Sequence, residues 1–435
     1  MCFESAIRVA CMIGSGLCLA GNQTVKLMKK DVKMAYGLLV LFFSLLLLVI
    51  VYWGGKYLNF ASNFINCPND VSLDVCLGLS AVYRLSAVLA FVHLIVGLCC
   101  LTRDGFAKAV NEGLWGIKIL LTAGLFIGSL FIDNKVFEPY ARASIYLGGV
   151  FLFVQAVSLI DAFYLWAEFW AKKFDDGNNC YGCLLIFTSL LMYALTGFFV
   201  YLGFKNYWSQ GCFSNRMLLI IPVIFVIAFT VLIILRFHPK GSIITSGAIS
   251  IFGAYLFWAA LISNPDEKCN PDYSSKTNMF IQIGFSYFFA FMCNLYWSLS
   301  TKPSSAYQSA NLPAPAATEG DSELETKAEQ ENKNAPQETN LIKHDNTPEQ
   351  YEEYENNSYL KFHCFMVLFS VYICAVFTNW GHATVSEDSS RNWNYQVRGD
   401  SSPYYIKVFI GIFTFGLYLW TIVAPTLFPD RNFDT

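Results

Sequence analysis

Charged residues are scarce in this sequence. Asp, Glu, Lys and Arg make up 14% of its 435 residues, whereas an ordinary soluble domain carries roughly 25%. Histidine occurs only five times, and no histidine has the spacing of an HExxH or HxE metal site. There is also no GxSxG elbow and no GxGxxG motif following a strand. The sequence therefore predicts that the protein is not an enzyme and holds no metal or cofactor. Nucleic acid is not an expected partner.

In place of charged residues, the sequence contains long apolar segments. Apolar residues make up 55% of the chain, and ten segments have close to the roughly 20 residues that a helix needs to cross a bilayer. The segments are 35–54, 83–101, 114–132, 145–171, 184–204, 217–236, 242–262, 280–298, 359–380 and 404–425. This pattern predicts an all-α membrane protein with about ten transmembrane helices.

The fourth segment carries unusual polar residues. Residues 145–172 are almost wholly apolar except for Gln155, Asp161 and Glu168. As a helix this stretch is roughly 40 Å long, so it must cross the ~30 Å hydrocarbon core at a tilt or project beyond it. A charge at mid-bilayer costs about 2.5–3.5 kcal/mol. We therefore expect both carboxylates to face protein or water and not lipid.

The Lys and Arg residues of the loops indicate the orientation. More of them fall on the side that holds both termini. We therefore expect both termini to be cytosolic, in an endomembrane or the plasma membrane. Residues 1–34 are then a cytosolic lead-in that is kept, because they lack the basic start and the small-residue cleavage site of a signal peptide. Residues 426–435 are a cytosolic tail.

One stretch interrupts the membrane pattern between spans one to eight (residues 35–301) and spans nine and ten (359–425). Residues 302–358 are rich in Ala, Pro, Asn, Gln and Glu. Such a composition buries too little apolar surface to offset the entropy lost on ordering, so it predicts a disordered acidic cytosolic loop. A docking segment for trafficking adaptors is the alternative, and a passive linker is the favoured interpretation.

Four of the 14 cysteines fall in loops assigned to the side opposite the termini. They are Cys67, Cys76, Cys212 and Cys269. An even set in an oxidising compartment can form two disulfides, and Cys67 and Cys76 close a short loop. We predict the pairs Cys67–Cys76 and Cys212–Cys269. For the other cysteines, small apolar packing residues or lipidation sites are more plausible than metal ligands.

Depth along the antiparallel spans indicates partners for the buried charges. Lys118 of span three and Glu168 of span four lie at similar depths, which predicts a structural ion pair. Asp161 lies about 10 Å deeper, with His93 of span two as its candidate partner, and Gln155 lies further outward. Two interpretations remain open. The groups fix helix packing, or His93, Gln155 and Asp161 form a polar track for a lipid head group.

Five blocks along the chain carry a family resemblance. They are residues 81–86 at the start of span two, the spacing of Gln155, Asp161, Trp166, Glu168 and Trp170 in span four, residues 263–266 with 269–271, residues 362–380, and residues 420–425. In this order, over about residues 65–435, the blocks resemble the serine incorporator family of multi-pass membrane proteins. The resemblance implies two subdomains, a long tilted fourth helix between them, and lipid in a groove at the crossing.

The resemblance also implies a role with lipids, since family members are associated with incorporating serine into phosphatidylserine and sphingolipids or with moving phospholipids between leaflets. Membrane phospholipids are then the expected partners. Serine-dependent lipid-synthesis enzymes and a second copy of the chain are further candidates. Two other functions remain open: a secondary transporter of a small polar solute such as serine, and a non-catalytic scaffold for lipid-synthesis enzymes. Clear inverted repeats would favour the transporter, and none is visible in the sequence.

Overall fold

The structure is a computed structural model that describes residues 32–51, 55–65, 67, 73–102, 105–209, 211–235, 241–264, 266, 268–271, 276–300, 348–380 and 401–428. These residues contain no β-strand. The helices are α1 (Val32–Val49), α2 (Leu73–Cys99), α3 (Gly105–Glu112), α4 (Trp115–Ser129), α5 (Asn134–Asp175), α6 (Asn179–Tyr207), α7 (Phe213–Ile234), α8 (Ile243–Leu261), α9 (Lys276–Ser300), α10 (Pro348–Phe377) and α11 (Ser402–Leu427). The prediction of an all-α membrane protein is confirmed.

Each of the ten predicted spans falls on one of these helices, and the short α3 is additional. Eight helices are long and apolar enough to cross a membrane, namely α1, α2, α5, α6, α7, α8, α10 and α11. α4 is apolar but has 15 residues, about 22 Å of helix, which is shorter than the ~30 Å hydrocarbon core. α9 carries buried polar residues, among them Asn278, Gln282 and Asn294. The chain is a multi-pass membrane protein, and the count of ten spans stays a prediction.

The long fourth helix of the prediction is α5, with 42 residues and a length of about 63 Å. It begins at Asn134, well before the predicted start at residue 145. The Asp133 carboxylate accepts a hydrogen bond from the main-chain N–H of Lys135 and so caps this earlier start. The apolar pattern could not show this extension, because the added turns are largely polar. A helix of this length must tilt or project beyond the bilayer.

α5 lies between two groups of helices. It packs against α10, which also packs along α2, and it contacts α6, α8 and α11. α8 is the centre of this second group, because every residue from Ile244 to Leu261 is buried. A helix that is apolar all round is stable in such a position. The division into two subdomains stays a prediction, although the contacts of α5 with both groups agree with it.

Two adjacent glycines bring α5 close to helices of both groups. A Cβ atom at Gly148 would lie 3.1 Å from the Cβ of Ala375 in α10, and one at Gly149 would lie 3.0 Å from the side chain of Ile406 in α11. Both distances are shorter than ordinary van der Waals contact, so a larger residue would push the neighbouring helix away. Small residues at such positions are typical of membrane helix interfaces. The pair positions α5 between α10 and α11.

The helix boundaries next to the acidic segment differ from the prediction. α10 begins at Pro348, inside residues 302–358, so the helix starts earlier than residue 359. Residues 302–347 lie outside the described residues. The same holds for most of the lead-in, residues 1–31, and for residues 429–435 of the tail.

Both predicted disulfides are present. Cys67 in the segment before α2 bonds to Cys76 in the first turn of α2, and Cys212 at the start of α7 bonds to Cys269 in the segment before α9. The second disulfide joins segments 57 positions apart in the sequence. Both therefore tie loops to the ends of helices at the side assigned to the oxidising compartment.

Candidate functional site

One face of α5 is exposed in the membrane-spanning part of the helix. Phe153, Val157, Asp161, Leu165 and Glu168 recur every three or four residues, so they share one side of the helix. All five side chains are exposed. We call these five residues the α5 face. It combines an apolar stripe with two carboxylates.

The carboxylates of the α5 face are not covered by protein. The Tyr296 hydroxyl of α9 donates a hydrogen bond to Asp161, and no cation in the described part of the chain forms an ion pair with Asp161 or Glu168. A carboxylate at this depth costs about 2.5–3.5 kcal/mol when lipid surrounds it. Of the two expected surroundings, protein or water, protein supplies only the Tyr296 contact within the described residues, so water or polar head groups are left to solvate the carboxylates.

Behind the α5 face, a set of buried polar residues lies on α5 and on the neighbouring α9. Gln155 and Ser158 are on α5, and Gln282, Ser286 and Cys293 share one side of α9. We call these five residues the α5–α9 seam. It lies inside the helix bundle, next to the exposed face.

Three members of the α5–α9 seam have partners. Ser158 accepts a hydrogen bond from the Trp297 indole N–H at 2.9 Å, and the Cys293 thiol lies beside the Ser158 hydroxyl. Ser286 shares a short hydrogen bond with the Tyr255 hydroxyl of α8. The seam therefore links α5, α8 and α9 through polar contacts.

The two glutamines of the α5–α9 seam have no partners. Gln155 is 0% exposed and Gln282 is 1% exposed. Neither the Nε2 nor the Oε1 atom of either side chain makes a hydrogen bond within the described residues. An unsatisfied buried polar group costs about 1–3 kcal/mol, and most buried groups in native proteins are satisfied. Other buried groups of the described residues share this condition, among them the hydroxyls of Ser250 and Tyr418.

His93 does not pair with Asp161, so the predicted pairing of these two residues is wrong. Its Nδ1 atom lies 3.1 Å from Nδ1 of His363 in α10, and Nε2 of His363 lies 2.8 Å from Oδ1 of Asn111 in α3. The Asn111 amide N–H₂ donates to the Ala107 carbonyl, which fixes the orientation of the amide. His93 therefore belongs to a separate cluster beneath α3. The structure brings only Gln155 and Asp161 near the same helix pair.

The predicted ion pair between Lys118 and Glu168 is also wrong. The Lys118 ammonium donates a 2.9 Å hydrogen bond to the main-chain carbonyl of Asn111 and lies over the rings of Tyr36 and Trp115. α4 packs chiefly against α2. Equal depth in two spans therefore did not bring the two charges together.

Lys118 shares its type of site with two further buried cations. Arg84 donates to the carbonyls of Ser129, the last residue of α4, and of Ile132 just beyond it. Lys407 donates to the Ala259 carbonyl in the last turn of α8 and to the Ser263 hydroxyl just beyond it. These carbonyls, like that of Asn111 in the last turn of α3, carry the partial negative charge of a helix C-terminus. An aromatic ring also faces each cation: Phe137 faces Arg84, Trp380 faces Lys407, and Tyr36 and Trp115 face Lys118. Helix ends and rings therefore surround all three cations, and Arg84 also has the Asp133 carboxylate nearby.

Arg84 and Lys407 also correct the orientation count. Their positions at the starts of predicted spans two and ten count both on the side opposite the termini, but they lie inside α2 and α11, with 0% and 2% exposure. Removing them from that side increases the excess of Lys and Arg on the side of the termini. The orientation itself stays a prediction.

Several contributors to these sites were not predicted from the sequence. Among them are Tyr296, Gln282, Asn111 and His363. Gln282 and Tyr296 lie about four turns apart within the eighth apolar segment. A polar residue at membrane depth often marks a functional position, so these two could have been found from the sequence. Asn111 lies between segments and gave no signal. The described residues contain no group of three or more His, Cys, Asp or Glu that could hold a metal ion.

Comparison with known proteins gives a consistent result. A family model described as serine incorporator (Serinc) matches residues 5–431. A probable serine incorporator of Nematostella vectensis is 27% identical over 382 residues, covering 83% of this chain and 79% of the relative. Serine incorporator 3 of Mus musculus is 25% identical over 416 residues, covering 86% and 84%. A probable serine incorporator of Dictyostelium discoideum is 26% identical over 431 residues, covering 92% and 95%.

Proposed function

Because the chain belongs to the serine incorporator family, we propose that it handles phospholipids, moving them passively between leaflets and so supporting the incorporation of serine into phosphatidylserine and sphingolipids. The names of its relatives refer to serine incorporation. In this proposal the chain performs no covalent chemistry. Its partners are membrane phospholipids, and lipid-synthesis enzymes and a second copy of the chain are further candidates.

The exposed carboxylates of the α5 face are the observation that carries this proposal. Asp161 and Glu168 are separated by about 10 Å along the helix, and Leu165 lies between them on the same face. A lipid placed here keeps its acyl chains in the bilayer, against the apolar stripe, while its head group contacts the carboxylates. Each contact lowers the cost of holding a polar group at a depth where hydrocarbon would otherwise surround it.

The unpartnered amides of Gln155 and Gln282 favour a second candidate, a transporter of a small polar solute such as serine. Buried polar groups between membrane helices often mark a solute path. The two candidates differ in what crosses the membrane: a lipid head group whose acyl chains stay in the bilayer, or a free solute. A scaffold would move neither of them.

The test uses purified protein in liposomes that contain a fluorescent phospholipid. A membrane-impermeant quencher removes the signal of the outer leaflet only. We expect the protein, without ATP, to bring inner-leaflet lipid outward, so that well over half of the label is lost, while entrapped serine stays inside. Loss of only the outer half, as in protein-free vesicles, contradicts lipid movement. Release of serine without loss of lipid label would identify the transporter, and neither change would indicate the scaffold.

We also propose that both termini and residues 302–347 face the cytosol in an endomembrane or the plasma membrane. The excess of Lys and Arg on that side supports this orientation. A protease site inserted near Glu331 should be cut from the cytosolic side of sealed vesicles. Cutting only after the vesicles are permeabilised would mean the opposite orientation.

A further inference from the structure

The free cysteines of the described residues divide into buried and exposed thiols. The sequence left packing and lipidation open for all of them, and the buried thiols pack inside the bundle as small apolar side chains. Three thiols are exposed, namely Cys180, Cys183 and Cys364. Cys180 and Cys183 stand together at the start of α6. Packing inside the bundle does not account for this pair.

The first turn of α6 directs these two thiols away from the bundle. Tyr181 packs edge-on against two aromatic rings near the end of α5, and a Cβ atom at Gly182 would lie 2.7 Å from the Phe174 ring of the same helix. Tyr181 and Gly182 therefore face α5. Because successive residues of a helix are about 100° apart, Cys180 and Cys183 fall on the opposite side of the turn.

An apolar stripe continues from the two thiols along α6. Phe187, Leu190 and Ala194 follow Cys180 and Cys183 at helical spacing, and all five residues are exposed. We call these five residues the outer α6 face. It is about 21 Å long, whereas one leaflet supplies about half of the ~30 Å hydrocarbon core. An acyl chain attached at its start therefore meets apolar side chains over the depth of its leaflet.

The thiols lie at the opposite end of α6 from a disulfide. Cys180 and Cys183 are in its first turn, and Cys212, which is bonded to Cys269, follows its last residue, Tyr207. The helix has 29 residues, about 43 Å, and so exceeds the thickness of the hydrocarbon core. Disulfides persist in oxidising compartments, whereas cytosolic thiols stay reduced. The thiols then lie at the cytosolic boundary of the membrane, as the proposed orientation requires.

We propose that Cys180 and Cys183 are S-acylated with long-chain fatty acids whose chains lie along the outer α6 face. Juxtamembrane cysteines are typical acceptors of this reversible modification. The inference goes beyond the proposed lipid movement and rests only on the proposed orientation.

The net reaction exchanges one thioester for another. The cysteine sulfur bonds to the carbonyl carbon of a long-chain acyl-coenzyme A, in a step that a membrane acyltransferase of the cell catalyses. The bond between that carbon and the coenzyme A sulfur breaks, and coenzyme A leaves as a thiol with the proton that the cysteine loses. No oxidant or reductant is needed.

The test measures thioesters site by site in the full-length protein from a eukaryotic host. Free thiols are blocked in denaturant with N-ethylmaleimide, thioesters are cleaved with neutral hydroxylamine, and the released thiols are tagged with isotope-labelled N-ethylmaleimide. Chymotrypsin cleaves after Tyr181, so mass spectrometry detects Cys180 and Cys183 in separate peptides. We expect the tag at both positions, at least about tenfold above the sample without hydroxylamine.

Cys293 and Cys374 are the internal controls, because both are free and 0% exposed. They should carry only the unlabelled blocking reagent. The same unlabelled reagent at Cys180 and Cys183 would overturn the proposal, because their thiols would be free. A tag that needs a reductant in place of hydroxylamine would also overturn it, because it would identify a disulfide.

A pair of variants tests the same sites in cells supplied with an alkynyl fatty acid. Cys180→Ser with Cys183→Ser should keep the wild-type melting temperature, because both side chains are exposed, and should incorporate at least about twofold less label. The matched control is Cys364→Ser, at the exposed free cysteine of α10, which should incorporate as much as wild type. Wild-type incorporation in the double variant would contradict the proposal.

The orientation experiment separates the two possible failures. If a protease site near Glu331 is cut from the cytosolic side and the two thiols are free, the inference is wrong and the orientation stands. If that site is cut only after permeabilisation, the orientation and the inference both fail. The liposome assay of lipid movement is decided independently of either result.

Discussion

The imidazole rings of His93 and His363 face each other, with their Nδ1 atoms 3.1 Å apart. The Asn111 Oδ1 atom accepts from Nε2–H of His363, so in neutral rings Nδ1 of His363 is the acceptor and Nδ1–H of His93 is the donor. This chain of hydrogen bonds joins α2, α10 and α3. It gives His93 a structural role in place of the predicted place in a lipid path.

The histidine pair predicts strong coupling between the two positions. We expect His93→Ala and His363→Ala each to lower thermal stability, and the double variant to lose less than the sum. The coupling energy should fall within the range of about 0.5–3 kcal/mol that contacting residues show. Unfolding of the four proteins in detergent measures it. Effects that add to within about 0.3–0.5 kcal/mol would mean that the rings do not interact.

Lys118 and Glu168 should behave independently, in contrast to the prediction from depth alone. Lys118→Met removes a cation from the end of α3 and from two aromatic rings, so the melting temperature should fall. Glu168→Gln changes an exposed group and should have little effect on folding. The double variant should equal the sum of the two to within about 0.3–0.5 kcal/mol. Partial recovery of stability in the double variant would contradict this independence and support the ion pair that depth alone predicts.

Arg84 should be among the residues most important for folding. Its guanidinium donates to the Ser80, Ser129 and Ile132 carbonyls and to Asn134 Oδ1, and Arg84→Met leaves these buried acceptors without their donor. We expect a loss of at least about 3 kcal/mol. The matched control is Arg142→Met, an exposed arginine in an ion pair with Glu138, which should cost less than about 1 kcal/mol. Similar losses in both would contradict the role of Arg84.

The two disulfides should contribute unequally to stability. Cys67 and Cys76 are 9 positions apart, and Cys212 and Cys269 are 57 apart. Closing the longer loop restricts the unfolded chain more, by about 1.5 kcal/mol in the chain-entropy model. Replacing each pair with two serines should therefore lower stability more at Cys212 and Cys269. Equal losses in thermal unfolding would mean that chain entropy does not determine the difference.

Hydropathy was sufficient to predict the apolar helices of this protein, including the long α5. A membrane span must satisfy its backbone hydrogen bonds internally and present an apolar surface, and both requirements leave a pattern in the sequence. It could not place the start of α5, which depends on the cap at Asp133 and lies in polar sequence. It also could not show which spans are neighbours. The short α3 was not predicted either, because its eight residues have no membrane signal.

The candidate site was predictable in its chemistry but not in its pairing. Gln155, Asp161 and Glu168 stand out because polar groups are rare in an apolar span. Their partners come from segments distant in the sequence, such as Tyr296 for Asp161. Lys118 shows why charge matching failed: its acceptor is a main-chain carbonyl, and such an acceptor is present at every residue and leaves no mark in the sequence.

The central claim is that the carboxylates of the α5 face contact the head groups of lipids in transit. The most direct measurement compares inner-to-outer lipid movement in liposomes for wild type, Asp161→Asn with Glu168→Gln, and the control Asp175→Asn at the exposed end of the same helix. We expect the double variant to fold normally and to move lipid several times more slowly, or with altered head-group preference, while the control matches wild type. A correctly folded double variant with the wild-type rate and the wild-type preference would contradict the claim.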